Sequence, residues 1–281
     1  MDILVHSISL SPLVSVIICV YSGERYLALT LDSVLSQTYA NIEILIVNDG
    51  SRDGSQAIIE EYAARDARIR WFSRVNSGLP ASRNFAFAEA RGEWIAVIDQ
   101  DDLCYPERVE MQLGVAAKYP TAGLIFCDTD YIDEAGTVTG SHLKSFVLPD
   151  GFIPKKTAGN LLLVKGCFID SEAWFFRKNV ASSLEPLIES LRYACDYEYF
   201  IRVGLHFDFA YTRETLAAWR IHPAQESATN KKRFYEHRLV LKRYFLDADV
   251  DFVTRCLIVK NLARSHGGEI YRWLKSKLRT A

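Results

Sequence analysis

Apolar and polar positions along the first 120 residues alternate between two periods. Val14 to Val20 is a nearly continuous apolar run of strand length, and Tyr26 to Gln37 follows with Leu27, Leu31, Val34 and Leu35 on one helical face. Ile42 to Val47 predicts a second buried strand. It leads through Asn48-Asp49-Gly50-Ser51 to a helix whose start is marked by Asp53 and, three residues on, Gln56. The unit then repeats: Ile69 to Phe72 is a short strand, Pro80 to Ala90 a helix with Gly92 just past its end, and Glu93 to Ile98 a strand. Strands that alternate with helices predict a mostly parallel, Rossmann-like α/β sheet flanked by helices. After about residue 120 the pattern loosens. Leu124 to Cys127, Phe207 to Tyr211 and Leu216 to Trp219 read as extended, Asp196 to Val203 as a helix, and 140–170 shows little period. From Lys231 two or three amphipathic helices are expected, punctuated by Asp247 to Asp251 and by Gly267-Gly268.

In a sheet of this kind ligands bind beyond the carboxyl ends of the strands, where connecting loops gather. Three polar loops fall there: Tyr21-Ser22-Gly23-Glu24, Asn48-Asp49-Gly50-Ser51, and Asp99-Gln100-Asp101-Asp102. The last places three carboxylates at the end of a buried strand, which costs free energy unless they protonate, stay solvated or share a cation. An Asp before Pro106 and Glu107 could instead cap a helix, but that role needs only one of the three. Asp99 and Asp101, separated by one residue, suit a hard divalent cation with oxygen ligands.

Length and composition narrow the class. The chain has 281 residues, 49% of them hydrophobic, with a net charge of -2, enough for a full α/β core and an appendage. No apolar run approaches the roughly 20 residues of a membrane-spanning helix. The first eleven residues lack a basic start and a sustained apolar stretch, so a frayed lead-in and cytoplasmic placement are expected. Six scattered cysteines without Cys-x-x-Cys spacing argue against a zinc site or a disulfide framework. Charge is unevenly spread: residues 231–281 hold 13 Lys/Arg against 5 Asp/Glu. A basic end of this kind suits an anionic partner. With no recognised nucleic-acid module beside it, a membrane surface is the better candidate.

Three segments in order, VSVIICVYSGERYLALTLDSVLSQTY, IEILIVNDGSRDGS and GLPASRNFAFAEARGEWIAVIDQDD, together resemble the family 2 glycosyltransferases, whose nucleotide-sugar domain has the A-type, Rossmann-like fold. RYACDYEYFIRVG and WRIHPAQES extend the likeness more weakly. The resemblance implies a catalytic domain over 1–225, with 12–120 binding the donor and 121–225 the acceptor, and the charge and periodicity add a basic helical segment over 226–281. The resemblance also implies Tyr21 as the aromatic platform for a nucleobase, Asp49 as partner for the base's edge, Glu24 in the same donor site and Arg83 near the diphosphate. Asp99 would face the ribose or a Mn²⁺ or Mg²⁺ ion, Asp101 the metal that bridges the phosphates, and His222 the diphosphate or that metal. Asp196 matches the general base. The acid that usually precedes it is replaced by Cys195.

The resemblance therefore implies inverting transfer of a sugar from a nucleotide-diphosphate donor, by default a UDP-sugar, to a hydroxyl of a glycan or lipid-linked acceptor, as in polysaccharide or lipopolysaccharide synthesis. Trp273-Leu274 among Arg272, Lys275, Lys277 and Arg279 suits an interfacial helix at the inner face of the cell membrane, or else a helical face packed on the catalytic domain. Two other classes compete. A haloacid dehalogenase phosphatase also carries Asp-x-Asp after a strand, but normally the first strand and with Thr or Val where this chain has Leu103. A non-catalytic nucleotide-sugar scaffold would suit Cys195, and the intact Asp99, Asp101 and Asp196 oppose it.

Overall fold

A computed structural model describes residues 11–225 and 232–265. Among the described residues ten strands form one sheet: β1 (Val14–Val20), β2 (Ile42–Asn48), β3 (Ile69–Ser73), β4 (Trp94–Asp99), β5 (Leu103–Cys104), β6 (Ala122–Ile132), β7 (Val138–Ser141), β8 (Phe152–Ile153), β9 (Phe175–Arg177) and β10 (Asp208–Arg220). The spatial order is β3-β2-β1-β4-β9-β6-β10-β5, with β7 on β6 and β8 on β10. β3, β2, β1 and β4 are mutually parallel, as is the β6–β10 pair, whereas β9 runs antiparallel to both β4 and β6. The three-residue β9 thus welds the parallel half to the second half.

The apolar runs are continuous because both faces of the sheet are covered. All seven residues of β1 are buried. Val14, Val16, Ile18 and Val20 meet α1 (Leu27–Leu35) and α2 (Ser55–Arg65) through Leu27, Leu31 and Ile59, and α4 (Arg108–Lys118) joins that layer through Val109. Ile17 and Cys19 face the opposite core, shared with α3 (Leu79–Glu89), α5 (Thr157–Lys165) and α7 (Cys195–His206). A short α6 (Lys178–Ser183) follows β9. Two C-terminal helices, α8 (Lys232–Phe245) and α9 (Phe252–Ser265), add Val240, Tyr244 and Ile258 to the same core.

Several expectations need correction. The α2 start is not a capping box: Asp53 Oδ1 accepts the N–H of Ser55 at 3.2 Å, but Gln56 Oε1 accepts from the Asn48 amide at 2.6 Å instead of returning to the helix start. The extended pieces at 207–211 and 216–219 belong to one strand, β10. The partly exposed Thr212-Arg213-Glu214 interrupts its apolar pattern where its register on β6 shifts. Residues 140–170 contain α5, whose polar-to-apolar alternation is weak because Gly159 lies against α7. A Cβ at Gly159 would sit 2.7 Å from Leu205, and one at Gly204 would sit 2.6 Å from the Gly159 nitrogen. Among the described residues no helix is long and apolar enough to cross a membrane. The lead-in over 1–10, Gly267-Gly268 and the Trp273 to Arg279 segment lie outside the described residues.

Candidate active site

The register puts the ends of β1, β2 and β4 on one rim, with Cys19 opposite Asp99 and Val20 opposite Asn48. Tyr21 leaves β1 with its side chain half exposed. Its backbone is clamped by Gln100: the Tyr21 N–H donates to Gln100 Oε1 at 2.8 Å and Gln100 Nε2 donates to the Tyr21 carbonyl at 3.1 Å. Ser22 has a left-handed φ of 53°, and its N–H donates to Ser51 Oγ at 3.0 Å, which stitches the first loop to the second. Glu24 bridges to the start of α2, accepting the Gly54 N–H at 2.9 Å while its own N–H donates to Asp53 Oδ2 at 3.0 Å. Asp49 is buried. It accepts the N–H groups of Ser77 and Gly78, each at 2.8 Å, and the Ser77 hydroxyl at 3.2 Å, so it holds the loop that enters α3.

The acidic loop divides its labour. Thr30 Oγ1 donates to the carbonyls of both Gln100 and Asp102 at 2.8 Å, fixing the turn. Asp102 points inward and accepts the Arg220 N–H at 2.8 Å, tying the loop to β10. Burial, with the charges of Glu172, Asp101 and Asp99, pushes its carboxyl well above the usual carboxylate range. Asp101 stays on the rim, and its Oδ2 lies 2.9 Å from His222 Nε2. The other ring nitrogen of His222, Nδ1, is buried without a partner. Asp99, at the end of β4, meets Arg83 Nη2 at 2.5 Å.

Arg83 reaches this rim from α3 and is fully buried, with its guanidinium bridging Asp99 and Asp196. Asp196 is the second residue of α7, and three donors converge on it: Arg83 and the Cys195 thiol (3.3 Å) on Oδ1, and the Ser171 hydroxyl (2.7 Å) on Oδ2. Burial alone would raise Asp196, but the charge of Arg83 and these hydrogen bonds outweigh it and hold the carboxyl below the usual 3.8. Asp99 is the reverse case. Burial and the charges of Asp196 and Asp101 push it up against the pull of Arg83. A carboxylate accepts about four hydrogen bonds, so Asp196 is an ionised group with one acceptor direction left on Oδ2.

Next to Ser171 lies a second polar cluster. Asp170 Oδ2 is 3.1 Å from His142 Nδ1, and the Tyr131 hydroxyl is 2.7 Å from the same nitrogen. Burial, then the charge of Asp128, pushes the Asp170 carboxyl up, and burial pushes the His142 ring down, so burial disfavours the charged form of each. The structure thus joins Asp99, Arg83 and Asp196 in one ion-paired group and pairs Asp101 with His222 on the same acidic loop, with Tyr21, Glu24 and Asp49 on the neighbouring loops. Sequence reasoning missed Ser171, which sits in an aperiodic stretch, and Arg220 and Gln100 as the braces of the acidic loop.

Residues 15–199 match the family described as glycosyl transferase family 2. The chain belongs to that family. This glycosyltransferase is 34% identical over 238 residues to an uncharacterized glycosyltransferase of Rickettsia typhi, a match that covers 81% of this chain and 70% of the relative. Its fold is similar to TarS of S. aureus solved in complex with UDP-GlcNAc (TM-score 0.72, 18% identity, 89% of this chain and 72% of that one). It is also similar to the mannosyltransferase PcManGT of Pyrobaculum calidifontis in complex with GDP-Man and Mn²⁺ (TM-score 0.57, 16% identity, 96% and 80%). The A-type fold expected of the transferase is therefore the one observed, and the phosphatase reading is not supported.

Proposed function

We propose that this glycosyltransferase moves a sugar from a nucleotide-diphosphate donor, a UDP-sugar by default, to a hydroxyl of a glycan or lipid-linked acceptor with inversion. The observation that carries this reading is Asp196, kept ionised by Arg83 and presented beside Asp99 with one acceptor direction open. Asp196 Oδ2 accepts the acceptor's hydroxyl proton while that oxygen attacks the anomeric carbon. The anomeric carbon–oxygen bond to the diphosphate breaks, and its electron pair leaves with the nucleoside diphosphate. A single displacement inverts the anomeric centre. Ser171 fixes the carboxylate plane, and Arg83 links the base to the donor side of the rim.

The donor set at the rim fits Mn²⁺ or Mg²⁺. Asp99 and Asp101 are hard oxygen donors at the end of β4, Asp99 being pushed up by burial and then by its acidic neighbours, and His222 brings Nε2 to 2.9 Å from Asp101 Oδ2. Among the described residues no three such groups form a ready cage, which suits a cation that shares phosphate oxygens with the protein. Asp101, with Asp99 and His222 in support, would hold it. When bound, such an ion supplies charge neutralisation at the departing diphosphate. The complexes of TarS with UDP-GlcNAc and of PcManGT with GDP-Man and Mn²⁺ support a nucleotide-sugar donor. Tyr21 would stack on the base, with Asp49 and Glu24 shaping its loops.

The division into a donor part (12–120), an acceptor part (121–225) and a basic C-terminal segment (226–281) is part of the same proposal, as is work at the inner face of the cell membrane. Exposed Phe234 and Tyr235 on the basic α8 support a peripheral membrane contact. The test uses a panel of UDP- and GDP-sugars with and without Mn²⁺, scored by thermal shift and by donor turnover. Asp196→Asn should nearly abolish turnover and keep the metal-dependent donor shift, whereas Asp101→Ala should weaken both. Normal turnover by Asp196→Asn removes the base assignment, and retention at the anomeric carbon by NMR removes the single displacement.

A further inference from the structure

The base sits at the start of a helix that has no cap of its own. Ala194 is the N-cap of α7 and carries no side chain able to accept a hydrogen bond. A carboxylate arrives there from α8, forty residues downstream: Glu236, buried, accepts the N–H of Arg192 on Oε1 at 3.2 Å and those of Tyr193 and Ala194 on Oε2 at 2.7 and 3.0 Å. One side chain thus holds three consecutive amides that lead directly into Cys195 and Asp196. A negative charge is also favourable at this pole of the helix dipole.

Two further contacts join the two helices away from the Glu236 carboxylate. Tyr244, one helical face along α8, donates its hydroxyl to Glu198 Oε1 at 2.8 Å, and the other oxygen of Glu198 takes Arg202 Nη2 at 2.7 Å. His237 stacks on Tyr197 with ring centroids 4.6 Å apart and planes within 10°. These contacts bind the body of α7 to α8. Glu236 grips the segment before the helix, and so helps to set the height and rotation at which Asp196 enters the site. The Asp196 carboxylate has three donors that demand a narrow placement, and a displacement on the order of 1 Å at a reacting group can lower a rate by about a hundredfold.

We propose that Glu236 is a positioning residue for Asp196, so that α8 is part of the catalytic apparatus and not an appendage. The inference rests on Asp196 being the base. Glu236→Gln keeps the size of the side chain but leaves one carbonyl oxygen for three N–H groups. Tyr244→Phe is the control, since it loosens α8 from Glu198 without touching the amides before α7.

Both variants are compared with the parent protein by urea midpoint, by amide hydrogen exchange over 192–194, and by kcat and KM for whichever UDP- or GDP-sugar of the Mn²⁺-containing panel is turned over. Glu236→Gln should raise exchange at 192–194 at least tenfold and lower kcat about ten- to a hundredfold, with the donor KM within twofold. Tyr244→Phe should keep kcat within twofold at a similar loss of midpoint. Unchanged exchange at 192–194 in Glu236→Gln overturns the anchoring, whatever the turnover. An equal fall of kcat in both variants reduces Glu236 to a stability contact and overturns the positioning role. If the parent protein binds a donor but turns over none of the panel, the transferase reading of the site fails first, and the positioning role with it. The exchange result then still decides whether Glu236 anchors the segment before α7.

Discussion

Arg83→Met removes the cation that joins the two halves of the site. The guanidinium is fully buried, lies 2.5 Å from Asp99, also pairs with Asp196, and stands 5.6 Å from the centroid of the Trp174 ring. Methionine keeps part of the buried stem volume, so the main loss is electrostatic. Breaking a buried pair by removing one partner costs about 3–5 kcal/mol, because the other charge is left uncompensated. With a urea m-value of about 3 kcal/mol per M, the unfolding midpoint should fall by ~1–1.7 M at pH 7.

The pH dependence has a definite sign. In the parent protein Asp196 titrates below 3.8, so its pairing adds stability above 3.8 that is lost as pH falls through the folded value. In the variant burial dominates and both carboxyls titrate above 3.8. Their penalty is present above those raised values and fades as pH falls through them. The deficit of Arg83→Met should therefore shrink between pH 7 and about pH 4. A midpoint within ~0.3 M of the parent at pH 7, or a deficit that does not narrow in acid, would refute the claim that the buried Arg83 neutralises two partly buried carboxylates.

Tyr21→Ala should leave stability within about 0.5 kcal/mol, since the ring is half exposed, yet lower donor affinity about tenfold or more in titration calorimetry, as expected for a lost base-stacking platform. Gly92→Ala should destabilise by ~1–3 kcal/mol in urea unfolding, because its Cβ would lie 2.6 Å from the Ser15 nitrogen and 2.7 Å from the Leu13 carbonyl, backbone that cannot give way. A stability equal to the parent would show that the β1–β4 approach is looser than described. Glu172 is pushed well up by burial, then by the charges of Asp170 and Asp99, so it retains a proton that the unfolded chain releases. Stability held by such a group declines as pH rises above the unfolded value. Glu172→Gln should thus melt higher than the parent at pH 8, with a smaller margin at pH 5, and a margin that does not grow with pH would count against it.

Much of the donor half was legible in the chain because local order and chemistry coincide there. β1, β2 and β4 are long apolar runs followed at once by polar loops, and a parallel sheet sends all three loops to one edge. Asp99, Asp101 and Asp196 could be singled out by residue type, position and likeness to a family. The second half was harder to read for physical reasons. β9 has three residues, the apolar pattern of β10 is interrupted by the partly exposed Thr212-Arg213-Glu214, and the pattern of α5 is diluted by a glycine that must fit against α7.

The sequence by itself determined the α/β class, the family and the carboxylates from which a transfer site would be built, since each follows from periodicity or from an uninterrupted motif. Tertiary structure alone decided how those groups are paired. Arg83 and Asp196 are 113 positions apart, Asp101 and His222 are 121 apart, and Ser171 and Glu236 reach the base or its helix from aperiodic or downstream segments. Cys195 stands where the family pattern has an acid, and a carboxylate nonetheless meets the start of the same helix from α8. Charge neutralisation and hydrogen bonding act over a few ångströms in space, so no spacing along the chain could have revealed which partner each carboxylate would find.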